Sequence, residues 1–319
     1  MPLDARLKSR LRLRDLDMLM AVAQSGSMAK AANRLSISQP AISKSISEME
    51  HTLGVKLFDR VVKGVEPTRY GRALLKWAAA VFDDLRRGVE EIEFLADPTA
   101  GELRIGVAEP MQGGFIPKVI DRVTRQHPRI SVEVWPVSQW TAQLRELRAR
   151  NVDLQVGRLM QTQNENDLHT EVLFNDRAFV VASPHHRVAK RRRIELADLV
   201  DELWSLPPAA TTVAGQMIAD AFRGLGLDLP KRSVFTPSIQ VHCGLLATGR
   251  YLAVFPGSLL QFGLQHMPIK VLPVRWPTMD LPVGVTVLKQ RTLSPVAQLF
   301  IEHAREVAKL LKRPKSAAQ

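Results

Sequence analysis

Residues 27–54 read SMAKAANRLSISQPAISKSISEMEHTLG, and they encode two short helices joined by a tight turn. Ser27 is suited to cap a first helix whose Met28, Ala31, Ala32 and Leu35 recur at i, i+3, i+4 and i+7, the spacing of one buried face. The pattern breaks at Ser36-Ile37. Ser38 offers a second cap, and Pro40 falls in a first turn where a missing N–H is harmless. Ile42, Ile46, Met49 and Leu53 then supply the next buried face. Opposite them stand Gln39, Pro40, Ser43, Lys44 and Ser47, a row of short hydrogen-bonding groups without an acid. Such a face can enter a major groove and bond base edges without repelling phosphates; for any single helix, the alternative is a polar face that only meets water. Small Ala31 and Ala32 permit the close crossing of a helix-turn-helix.

The charge distribution points the same way. With 319 residues, 45% of them apolar, the chain is long enough for two or three domains with real cores. Its net charge is +12, and residues 1–72 hold 13 Lys/Arg against 7 Asp/Glu. Less than a quarter of the sequence thus carries half of the excess, which favours a polyanionic partner for that end. The single Cys243 excludes an internal disulfide or a multi-cysteine zinc site, and its apolar neighbours suggest a buried, inert thiol. No signal-peptide pattern and no apolar stretch of transmembrane length are visible, so no membrane and a cytoplasmic location are expected.

The flanks extend the module. A supporting helix from near Arg14 to Ser25 turns Leu16, Leu19, Met20 and Ala23 inward, and the basic residues before it either touch phosphates or are simply solvated. After Gly54, Leu57 and Phe58 serve as core anchors, and Val61 to Val65 form a short hairpin turning at Gly64, the wing of a winged helix. Arg60 and Lys63 would approach DNA backbone or minor groove there, unless Arg60 pairs with Asp59. Thr68 then caps a long helix. Leu74, Ala78, Val81, Leu85, Gly88, Ile92 and Leu95 step alternately by four and three, a 3.5-residue period that a lone amphipathic helix would not keep. The stripe predicts a two-helix coiled coil, hence a dimer presenting two readers to a partly palindromic site on double-stranded DNA.

From Ala31 to Leu74 the pattern AA..L..SQPA.S..I..ME..LG..LF.R.......T..G..L closely resembles the N-terminal module of LysR-type transcriptional regulators. Pro67 and Tyr70 depart from the commoner Leu and Ala of that pattern, which touches only the corner between wing and linker. The resemblance implies a winged helix-turn-helix regulator, usually a tetramer built from two dimers, that answers to a small-molecule inducer and has RNA polymerase as a further partner. It also implies that ligand-driven closure of a two-lobed domain alters the spacing and bend of the bound DNA.

The remainder alternates strand and helix. After a hinge at Ala96–Gly101, GELRIGVA, ISVEVWP and VDLQVGRL read as strands separated by helices, the mark of a parallel α/β sheet. A second set begins near Arg177, and PVGVTVLK with a closing helix from Ser294 to Leu311 returns to the first lobe. The expected organisation is a winged helix-turn-helix domain over 1–72, a coiled-coil linker helix over 73–97, and a bilobal α/β domain of periplasmic-binding-protein type over 98–319. Lobe I covers about 101–172 and 273–319, and lobe II about 173–272.

Ligands of open α/β lobes sit beyond the carboxyl ends of strands, near helix N-termini. That rule nominates Met111, Gln112, Gln139 and Trp140 in lobe I, and Thr211, Thr212, Thr236 and Ser238 in lobe II, although hydroxyls at helix starts also serve as plain caps. Gly113-Gly114 either frees backbone N–H groups for a ligand or makes a tight turn. A small organic anion suits such a place, and no cofactor is called for. His185-His186 lacks further ligands for a metal, and Lys190–Arg193 is a basic run that fits a solvated loop or a protein or DNA contact. No GxSxG elbow, phosphate loop or HExxH occurs, which argues against an enzyme. The competing readings are an architectural DNA binder without a ligand and a solute-binding protein or enzyme built on the two lobes.

Overall fold

The computed structural model describes residues 11–137, 140–159, 165–275 and 280–311, with the backbone alone for 140–143, 275 and 280. The chain divides into two compact units, Met1–Gly88 and Val89–Gln319.

In the first unit, α1 (Leu13–Ser25), α2 (Met28–Leu35) and α3 (Gln39–Leu53) precede a hairpin of β1 (Phe58–Val61) and β2 (Gly64–Pro67), and α4 (Arg69–Ala96) follows. The predicted apolar faces of α2 and α3 meet α1 in one buried cluster that includes Leu19, Val22, Ala31, Ala32, Ile42, Ile46, Met49 and Leu57. Each large side chain of this kind contributes roughly 1.5–3 kcal/mol by leaving water. The inward face of α1, however, is Met18, Leu19, Ala21 and Val22, with Ala23 at its edge, while the expected Leu16 and Met20 are half-buried outside the cluster. Ser27 and Ser38 both occupy cap positions, but only Ser38 caps with its side chain, accepting from the Ala41 N–H at 3.4 Å. Ser36 takes the left-handed conformation (φ 53°) that turns α2 into α3. Thr68 Oγ1 accepts from the Gly71 N–H at 3.0 Å and opens α4.

Gly64 does more than turn the hairpin. Its φ is +132°, a Cβ there would stand 2.1 Å from the Gly26 carbonyl oxygen, and the next N–H, that of Val65, donates to that same oxygen at 2.9 Å. The wing is thereby fastened to the end of α1.

The second unit contains, in order, β3 (Ala100–Val107), α5 (Glu109–Gln112), α6 (Phe115–Gln126), β4 (Arg129–Pro136), α7 (Trp140–Arg148), β5 (Leu154–Arg158), β6 (Leu168–Ala182), β7 (Ile194–Glu195), β8 (Leu203–Leu206), α8 (Val213–Gly224), β9 (Ser233–Phe235), α9 (Ile239–Ala247), β10 (Tyr251–Pro256), α10 (Gly257–Phe262), β11 (Lys270–Val271), β12 (Val274–Arg275), β13 (Asp280–Leu288) and α11 (Pro295–Leu311). Among the described residues, nine strands join in the order β4-β3-β5-β13-β6-β10-β8-β9, with β11 on β6. β3, β4 and β5 pair in parallel, as the alternation predicts, and β8 pairs in parallel with β9 and β10.

One long strand ties the lobes. β6 runs fifteen residues, pairing with β13 along Leu168–Arg177 and with β10 along Ala178–Ala182. The second set of elements therefore begins inside a strand that already belongs to the first. The core of lobe I gathers Ile105, Phe115, Val119, Leu154, Val285 and Phe300 around β3, β5, β13, α6 and α11, while Trp204, Phe222, Leu252 and Val180 anchor lobe II.

Candidate functional site

α3 and the β1–β2 hairpin line an open groove of about 730 Å3 whose walls include Ser27, Gln39, Ser43, Ser47, Arg60 and Gly64. Gln39, Pro40, Lys44 and Ser47 are exposed, and Ser43 is half-buried. The serines of α3 divide by face: Ser45 turns inward, donating to Asp15 Oδ1 at 2.7 Å and pinning α3 to α1. Two acids reach the groove: Asp59, exposed on the hairpin, and Glu50. The Glu50 carboxylate is held by Lys56 Nζ at 2.5 Å and by the Leu57 N–H at 2.8 Å. Burial works to raise this carboxyl, but the ammonium and backbone donors outweigh it and hold the group below the usual range. Its charge is neutralised locally instead of facing an incoming phosphate. Lys44 stands at the border of the polar face, 3.9 Å from Glu48 on the next turn. Arg60 and Lys63 are exposed on the hairpin, and among the described residues neither makes an ion pair, Asp59 included. Val62 at the tip is fully exposed.

Along α4, Val81, Leu85, Ile92 and Leu95 are exposed large apolar residues, joined by Trp77 and Val89. Two members of the expected stripe sit elsewhere. Ala78 is fully buried, and Leu74 packs against the cluster formed by α1–α3. Because the start of α4 must also cover that cluster, its first apolar turns are consumed within the chain. Trp77 was not singled out from the sequence, since the strict alternation of four and three steps over it to Ala78.

The second unit has a cleft at the carboxyl ends of β3 and β5. Two adjoining chambers of about 80 and 40 Å3 share Pro110, Arg158, Pro207, Ala214 and Pro237 as walls. Met111 and Thr212 line the larger chamber. Thr212 caps α8, accepting from the Gly215 N–H at 3.0 Å and donating to the Pro208 carbonyl at 2.7 Å. The other nominated residues lie off these walls. Gln112 folds back and donates to the Val107 carbonyl at 3.0 Å, Thr211 is exposed, Thr236 accepts from the Ser238 N–H, and Ser238 caps α9. Gln139 and the side chain of Trp140 lie outside the described residues. Gly113-Gly114 proves not to be an open cradle: a Cβ on Gly114 would stand 3.0 Å from Ser258 O and Leu259 Cα, so these glycines let the loop pack onto α10.

Two charged residues of the cleft escaped the sequence reading. Glu109, at the start of α5, accepts from the Ile239 N–H at 2.8 Å, bridging lobe I to the N-terminus of α9 in lobe II. Burial pushes its carboxyl up, against the lowering effect of that N–H. Arg158 ends β5, where burial pushes the guanidinium down and the charge of Asp176 opposes the shift. The Asp176 carboxylate is itself taken by Ser258, from its N–H at 3.0 Å and its hydroxyl at 2.5 Å. His242 lines the smaller chamber with Nδ1 2.6 Å from the Ser205 hydroxyl, and burial brings its pKa down to about 4. Cys243 is half-buried, and both burial and the nearby Glu109 push its thiol up, away from a reactive thiolate. Among the described residues no cluster of His, Cys, Asp and Glu suits a metal, and no helix is long and apolar enough to cross a membrane. His186 instead packs inside, with Nδ1 accepting from the Val188 N–H.

Comparison with known proteins follows this division. The family described as "Bacterial regulatory helix-turn-helix protein, lysR family" matches residues 13–72, and "LysR substrate binding domain" matches residues 96–309. The HTH-type transcriptional regulator GbpR of Azospirillum brasilense is 29% identical over 300 residues, covering 94% of this chain and 87% of its own. Among solved structures, a full-length OxyR variant from Pseudomonas aeruginosa superposes with a TM-score of 0.67 at 22% identity, covering 97% of this chain and 99% of that one. Full-length CbnR in complex with its target DNA gives 0.63 at 21% identity, covering 93% and 100%. At those identities the structural likenesses speak for the fold. The two family matches between them take in most of the sequence, from the helices that line the open groove to the strands that frame the cleft, and the protein belongs to the LysR family of DNA-binding transcriptional regulators.

Proposed function

We propose that α3 lies in the major groove, with Gln39, Pro40 and Ser43 reading base edges. Ser27, Ser38, Lys44, Arg60 and Lys63 contact phosphates and fix the register. The exposed ridge of α4, from Val81 to Leu95 with Trp77, zips two chains together, so two copies of α3 meet two half-sites. A small-molecule effector enters the cleft between the lobes and shifts the balance between open and closed arrangements. Closure then changes how the subunits hold their DNA. CbnR, which shares this fold, was captured on its target DNA, and that supports the placement of α3.

The observation that carries the reading is the open groove between α3 and the wing, where short polar and cationic side chains are exposed, the acid nearest α3, Glu50, is neutralised by Lys56, and the other acid, Asp59, sits on the hairpin beside Arg60. Filter binding of the full-length protein to sequences selected from random DNA tests it, with and without metabolites that raise its melting temperature. Selection of a two-half-site motif, with affinity altered by such metabolites, is the expected result. A sequence-indifferent protein that ignores all of them would instead fit the architectural alternative.

A further inference from the structure

If the cleft is the regulatory site, its unpaired polar atoms narrow the chemistry of what enters it. Most polar groups there are already engaged. Thr212 both donates and accepts within its own turn, His242 Nδ1 faces the Ser205 hydroxyl, and one oxygen of Glu109 holds the Ile239 N–H. Two buried atoms have no partner among the described residues: Nε of Arg158, a donor, and Oε2 of Glu109, an acceptor. Both residues line the larger chamber.

An arginine stays protonated in any protein setting, and a half-buried guanidinium whose Nε is shut off from water without a direct counter-ion is unfavourable. Asp176 is the nearest opposing charge, yet its oxygens are occupied by Ser258, and among the described residues no carboxylate lies within ion-pair distance of Arg158. The chamber therefore offers Arg158 room for an external anion as its counter-ion. The remaining walls are mostly apolar, including Pro110, Met111, Pro207, Ala214 and Pro237. The chambers, about 80 and 40 Å3, are together somewhat smaller than the roughly 150 Å3 that accepts a benzene ring.

We propose that the effector is a small organic acid carrying a hydrogen-bond donor on a compact apolar body of about four to six carbons, its acid group seated on Arg158 and its donor on Glu109 Oε2. Hydroxy acids and amino acids share this chemistry. Because Glu109 also holds the N-terminus of α9, a ligand that fixes its carboxylate stiffens the link between the lobes and favours closure.

Calorimetric titration of the full-length protein with matched sets of four- to six-carbon compounds tests this: each hydroxy or amino acid, the parent acid lacking the donor, and the uncharged amide. Binding should concentrate in the compounds with both groups, with parent acids about 10-fold weaker and amides about 30-fold weaker. Arg158→Met should abolish the preference for acids, and Arg158→Lys, which keeps the charge, should restore part of it. Glu109→Gln turns the free oxygen into a donor. An ammonium then loses its acceptor and a hydroxyl can rotate to accept, so amino acids should weaken by about 10-fold and hydroxy acids by less. Amides or parent acids that match the two-group compounds, or no binding by any two-group compound, overturn the proposal. Ala214→Phe, which fills both chambers, separates the two levels of failure. If it blocks neutral binders, the cleft is the site and only the effector class is wrong; if it blocks nothing, the cleft itself is not the site.

Discussion

Replacing Ile92 by alanine probes the α4 ridge near its C-terminal end, where much apolar surface remains in water. Ile92 is 69% exposed within the single chain. Burying a whole isoleucine contributes about 1.5–3 kcal/mol, so covering the exposed part in a coiled coil contributes about 1–2 kcal/mol per chain. A symmetric dimer buries it twice. The dissociation constant should therefore rise by about 2–4 kcal/mol, or roughly 30- to 1000-fold, at 1.4 kcal/mol per factor of ten. Sedimentation equilibrium over a dilution series measures this directly. Leu225, 51% exposed and lying just beyond α8, is the matched control, and its alanine variant should leave the constant unchanged. An Ile92→Ala dimer within threefold of the unaltered protein would refute the reasoning, because no symmetric helix pairing could leave that side chain uncovered without changing its register.

Gly64→Ala should destabilise the N-terminal unit by about 2–3 kcal/mol in urea melts, since the new methyl would collide with the Gly26 carbonyl while φ stays at +132°. Arg60→Ala and Lys63→Ala should weaken binding to every DNA sequence alike and flatten the salt dependence by about one unit per protomer, read from affinities at several salt concentrations. Acid should also weaken the second unit through His242, whose pKa falls from 6.5 to about 4 on folding. Above pH 6.5 both states are neutral and stability is whole. Between 6.5 and 4 only the unfolded chain takes the proton, so stability falls by roughly 3 kcal/mol across that window. His242→Gln should remove this part of the pH slope in denaturation curves.

How much of this was legible in the sequence depended on how local its causes are. The helix pair at 28–53 announces itself because caps, proline position and a 3.6-residue apolar period all act within a few residues. The exposed row from Gln39 to Ser47 follows from the same period. The ridge of α4 was legible from Val81 onward, whereas the assignment of Leu74 and Ala78 failed because their burial depends on what the helix start packs against. β6 was readable only in its second half. His169, Glu171, Asn175 and Asp176 interrupt the first half, and its role in bridging the two lobes is fixed by pairing with β13, more than a hundred residues away. Glu109 and Arg158 were invisible for a related reason: a lone acid before a proline and a lone arginine ending a strand carry no pattern. Only the fold brings them to one cavity and leaves one polar atom on each without a partner among the described residues.

The account stands most directly on the claim that the exposed row of α3 reads bases. Its measurement is the affinity of Gln39→Ala for a selected operator and for a scrambled duplex of equal length, each at two salt concentrations. The operator affinity should fall by about 1–3 kcal/mol, with scrambled binding and the salt slope unchanged. Equal losses on both duplexes, or no loss on either, would contradict it.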